Sequence, residues 1–148
     1  MLIPELKTQF LAGIDRIESE LDQYQSEERL WVIEGSLSNS GGNLMLHLVG
    51  NLRHFIGHVV GKNDYVRQRE LEFSSKNIVR TDIKKLIAEC RTEVESTFET
   101  LDDSGLDIQF PVNIANREWT TREFIFHLLG HLNYHIGQIN YHRRLLDR

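Results

Sequence analysis

His131 and His135 stand four residues apart in the closing stretch HLLGHLNYHIGQINYHRRLL, an apolar-periodic segment that predicts one amphipathic helix. At roughly 1.5 Å of rise per residue, the two imidazoles are stacked on one face about 6 Å apart along the axis. Neutral imidazoles so placed can close on one transition-metal ion through bonds of about 2.0–2.1 Å. His127 extends the ladder by a turn, and His142 shares its face. The outer pair, His127 and His135, are about 12 Å apart, so one ion can take only two adjacent rungs. The spacing leaves both choices open, His127 with His131 or His131 with His135. A second stripe, His47, His54 and His58 with Asn51 between them, falls in LMLHLVGNLRHFIGH and could send a third ligand across a bundle. Three histidines suit zinc, nickel, cobalt, iron or copper and leave coordination positions open. The missing thiolate partners argue against a closed structural zinc site, and the missing E-x-x-H pairs against a di-iron bundle.

Four helices would position these residues. Ile3, Leu6, Phe10, Ile14, Ile17 and Leu21 recur at helical steps and predict a first helix over 2–24, with Pro4 in its first turn. An apolar island, LWVI, and the segment SLSNSGG follow. Ser38, Asn39 and Ser40 are N-cap candidates for a second helix over 40–60, which Gly61 is placed to stop. Thr81 is expected to cap a third helix over 82–102. Thr120 and Glu123 form a T-x-x-E capping box for the fourth, over 120–146, with Trp119 and Phe124 as its hydrophobic staple. Residues 62–80 show no sustained periodicity. At about 3.3 Å per residue they can run the length of a helix, so the second and third helices can lie parallel. The expected architecture is all-α: a four-helix up-down-down-up bundle with one long crossover. IQFPVNIANREW alternates weakly, as a short strand or hairpin lid would.

With 148 residues, 40% of them hydrophobic and 26% charged, the chain suits one domain over 1–148. A net charge of -5 disfavours a nucleic-acid partner. No apolar run reaches the roughly 20 residues of a membrane span, and MLIPELKTQF does not read as a secretory signal, so a cytoplasmic protein is expected. Cys90 excludes an intrachain disulfide and, lying on the apolar stripe of the third helix, reads as a core residue.

SNSGGNLMLHLVGNLRHFIGH, the RQRELEF that follows it and the late H-x-x-x-H-x-G-Q together resemble the DinB-like superfamily of metal-binding four-helix bundles. The likeness spans nearly the whole chain. It is nearest to a bacterial subgroup of unassigned function, related to the YfiT-like metal-dependent hydrolases. The resemblance implies His47, His131 and His135 as the metal ligands, zinc or nickel as the metal, and a homodimer. It also implies chemistry resembling thiol-dependent S-transferases, in which the ion activates a low-molecular-weight thiol, or hydrolysis through an activated water. A dimeric metal- or ligand-binding bundle without turnover is the non-enzymatic alternative.

His54, His58 and His127 fall outside the implied ligand set, and His54 or His127 is the expected source of any general base. Asn51 and Gln138 are candidate partners that orient the imidazoles or a bound water, and Gly137 is expected to let helices pack closely. Arg67 and Arg69 could hold a cofactor's carboxylates, but RQRE reads first as a solvated loop. Arg122, Arg143 and Arg144 are expected to face solvent.

Overall fold

The computed structural model describes residues 1–148, which form five α-helices and no strand. The first, α1 (Ile3–Gln23), buries the predicted stripe from Ile3 to Leu21, with Pro4 in the opening turn. It packs against α4 (Arg80–Thr100) and α5 (Thr121–Leu146). On α4, Ile83, Ile87, Cys90, Val94 and Phe98 turn inward, and the Phe10 and Phe98 rings meet at 5.5 Å. Cys90 is fully enclosed, and burial pushes its thiol far above the ordinary range, so it acts as an apolar core residue. Thr81 does not cap α4. The helix begins at Arg80, two residues before the expected start, behind the extended Val79 and without a side-chain cap.

Every residue of α2 (Gly41–Leu52) is buried, as befits a helix surrounded by others. Among the three N-cap candidates Ser40 takes the position, its hydroxyl accepting from the Asn43 backbone at 3.1 Å. The LWVI island forms a 3₁₀ turn, Arg29–Trp31, that plugs this end of the bundle. Gly42 makes room for it: a Cβ there would meet the Trp31 ring at 2.8 Å.

The predicted helix over 40–60 does run that far, but from Arg53 to Val60 its backbone changes to a π-helix. Bonding to the fifth residue widens each turn. Residues beyond 52 therefore leave the α register in which His47, His54 and His58 would share a face. Gly61 closes the segment with a right-handed backbone, and a side chain has no room there, since a Cβ would stand 2.2 Å from Thr97 Oγ1. The left-handed residue that follows is Lys62, at φ 60°.

The crossover is not structureless. It holds α3 (Arg69–Ser74), which lies on α2 and is tied there by Asn43 Nδ2, donating to the carbonyls of Glu72 at 3.0 Å and Ser75 at 2.8 Å. Between α4 and α5 the expected hairpin is reduced to two isolated antiparallel bridges, Gln109 with Thr120 and Ile114 with Arg117. The capping box at Thr120 and Glu123 is formed, and Trp119 meets Phe124 edge-on at 5.5 Å. No helix is long and apolar enough to cross a membrane.

Gly42→Ala is expected to destabilise the protein by about 1–3 kcal/mol through overpacking against Trp31. Urea unfolding would measure this, and unchanged stability would contradict the packing described.

Candidate metal centre

α2 and α5 pack face to face, and the contact brings three imidazoles to one point. His131 Nε2 lies 3.1 Å from His47 Nε2 and 3.1 Å from His135 Nε2. All three ligand atoms are within 4.8 Å of one another, close enough to hold a metal ion. Nitrogens bound tetrahedrally to one ion at 2.0–2.1 Å stand about 3.3 Å apart, so the two pairs that include His131 already have nearly the separation an ion requires. Spacing along α5 left the choice of pair open; the fold selects His131 with His135, and His47 from across the bundle.

The far nitrogens of two rings are held. His47 Nδ1 is 3.0 Å from Glu72 Oε1, and Arg67 grips the same carboxylate with two bonds of 2.8 Å. Gly50 supplies the slot for that carboxylate: a Cβ at residue 50 would stand 2.0 Å from Glu72 Oε2. His135 Nδ1 is 2.6 Å from Gln138 Oε1, whose amide nitrogen donates to the Tyr134 hydroxyl at 3.2 Å. With Nδ1–H donated to an oxygen, each ring turns its Nε2 lone pair to the shared point.

Electrostatics favour the neutral form of His131 and His135, as ligation requires. Burial, then the neighbouring His135, His47 and His127 and the charge of Arg67, push the His131 pKa down to about 3. Burial also lowers that of His135, while its bond to Gln138 acts the other way. Burial would raise the Glu72 carboxyl, but the hydrogen bonds from Arg67 and His47 overcome it and hold the group below the usual carboxylate range.

The triad opens on a cavity of about 470 Å³ whose walls include Asn51, Phe55, Phe124, His127 and Arg69. His127 stands 5.2 Å from the Trp119 ring and 5.6 Å from Phe124. The Arg69 guanidinium lies 5.1 Å over Phe73.

Several expectations need correction. Arg67 is no solvated loop residue, because its side chain is only 11% exposed and it is committed to Glu72. His54 and His58 stack on each other at 5.9 Å, outside the walls of the cavity, and the His58 ring bonds the Asn63 carbonyl. His142 belongs to the core, bonded to the Tyr24 hydroxyl at 2.7 Å and the Val32 carbonyl at 2.8 Å. Arg143 does not simply face solvent, since it pairs with Glu20 at 2.7 Å. Gly137 meets nothing within 4 Å of its would-be Cβ, so close helix packing does not explain it. Glu72 and Gly50 were missed as contributors. The only signal was Arg67 and Glu72 sharing the short RQRELEF segment, and nothing in sequence shows that it folds back onto His47.

Glu72→Gln and Gly50→Ala are each expected to weaken zinc binding by roughly 10–100-fold, the first by removing the anionic acceptor and the second by displacing it. Competition with a chromophoric chelator measures this, and wild-type affinity in both would contradict the arrangement. Acid should also destabilise the metal-free protein. Between the ordinary histidine pKa of about 6.5 and the lowered value, the unfolded chain binds more protons at residue 131, so stability falls as pH drops through that window. Melting temperatures from pH 7 to pH 4 should fall less steeply for His131→Asn than for wild type; equal slopes would contradict a neutral buried ring.

No curated protein matches the chain. The family model described as "Protein of unknown function (DUF1572)" matches residues 2–148, and the chain therefore belongs to that family.

Proposed function

We propose that this protein is a DinB-like, metal-dependent enzyme of up-down-down-up topology, working as a homodimer. His47, His131 and His135 would hold a divalent ion, zinc or nickel. The observation that carries this reading is the approach of three Nε2 atoms, two of them 3.1 Å from that of His131 and all within 4.8 Å of one another, beside an open cavity. A site built only to clip α2 to α5 would need no such opening. Bound there, the ion would supply Lewis acidity that makes a thiol or a water nucleophilic near neutral pH.

The remaining residues have separable tasks. Arg67 is occupied by Glu72, which leaves Arg69 to pair with a substrate or cofactor carboxylate at the cavity. Phe55 and Phe124 give the cavity an apolar wall. His127 lines it while His54 does not, so His127 is the better placed of the two to accept a proton. Thiol transfer with a low-molecular-weight thiol is the leading reaction, and metal-dependent hydrolysis the second.

The test is to purify the protein without a metal column, load it with zinc or nickel, and follow thiol loss from bacillithiol or glutathione in the presence of an electrophile. His131→Ala should abolish turnover, and His127→Ala should slow it on the order of 100-fold. Equal rates for wild type and His131→Ala would overturn the catalytic reading. If the ion binds and raises the melting temperature without turnover, the site is a non-catalytic module.

A further inference from the structure

Each ring of the triad needs an acceptor for the N–H on its far nitrogen. Glu72 serves His47 and Gln138 serves His135. His131 Nδ1, by contrast, is buried with no hydrogen-bond partner. A second atom in the same condition is Asn51 Oδ1, on a side chain that lines the same cavity. Only four side-chain atoms in the protein are buried and unpartnered, and the other two, Trp31 Nε1 and Arg80 Nε, belong to residues away from the cavity. The two at the triad are complementary. His131 Nδ1 is a donor in the tautomer that presents a lone pair at Nε2, and Asn51 Oδ1 is an acceptor. Neither is open to solvent, so the natural partner of each is a protein atom rather than a ligand in the cavity. Asn51 also stands one helical turn beyond His47, whose ring His131 touches.

We propose that Asn51 is the positioning residue of His131: the two atoms are not bonded to each other in this structure, and a rotation of the side chains lets Oδ1 accept the Nδ1–H bond, which holds Nε2 unprotonated and aimed at the shared point. The triad then has one oxygen acceptor per ring, from a carboxylate, a glutamine amide and an asparagine amide. Left unpaired, two buried polar atoms would each carry a desolvation cost. Paired, they define the tautomer that ligation needs. The assignment rests on the reading of the triad as a metal centre.

The experiment compares wild type with Asn51→Leu, which keeps the volume and loses the acceptor, and Asn51→Asp, which keeps an acceptor. Zinc affinity is read by chelator competition, and the His131 tautomer by long-range ¹H–¹⁵N correlation in the metal-free and zinc-loaded protein. Asn51→Leu should weaken zinc binding roughly 10–100-fold and remove the bias toward Nδ1–H at His131, while Asn51→Asp retains both properties. A purely packing role would shift the melting temperature without moving the tautomer and without rescue by Asp. Zinc affinity for Asn51→Leu within about twofold of wild type, with an unchanged His131 tautomer, would overturn the proposal. If Asn51→Leu does not fold, Asn51→Ala gives the same readouts. Should wild type bind neither zinc nor nickel, the metal reading fails on its own. The metal-free tautomer then decides the Asn51–His131 pair, supporting it if it differs between wild type and variant and overturning it if it does not.

Discussion

Two imidazole Nε2 atoms lie 3.1 Å from that of His131, a crowding the fold tolerates only if the rings are not all charged and are turned the right way. Protonated rings so close would repel, and burial makes that repulsion worse. Burial therefore does two things at once: it keeps His131 and His135 uncharged, and it makes every unpartnered N–H expensive. An oxygen answers the far nitrogen of His47 and that of His135. Much of the surrounding structure follows from that need, including the course of the crossover.

The crossover is the clearest case. A long connection between two helices of a bundle has no intrinsic reason to be ordered. Here it carries α3 back onto α2, where Asn43 holds its carbonyls and Glu72 reaches His47. Arg67, five residues before Glu72, keeps the carboxylate ionised and fixes its orientation with paired bonds. Gly50 is part of the same device, because only a residue without a side chain leaves the slot that Glu72 fills. Helix, loop and the His47 ring are thus one mechanical unit. Breaking the buried Arg67–Glu72 pair by removing one partner would leave an uncompensated charge beside the site.

Much of this was legible from residue order. Amphipathic periodicity located α1, α4 and α5, since each buries one face and repeats its apolar residues at the helical step. The capping box at Thr120 was readable because its chemistry is entirely local. Thr81 does not cap α4 because the extended backbone of an N-cap falls on Val79, which leaves Thr81 already inside the first turn. His54 and His58 were grouped with His47 by assuming α-helical register, which the π-helical turn after Leu52 breaks.

The order of residues by itself determined the helical elements, the two histidine stripes and the i, i+4 pair, because those depend on contacts within a turn or two of one helix. Spacing left the pair on α5 open, and the trio was an implication of the family resemblance alone. Tertiary structure decided which rungs converge, that Glu72 rather than solvent receives Arg67, that His142 is a core residue, and that Asn51 and His131 are left with complementary unpartnered atoms. Each of these depends on the distance between side chains far apart in the chain. Helical periodicity gives the face a residue occupies, and only packing says what lies opposite it.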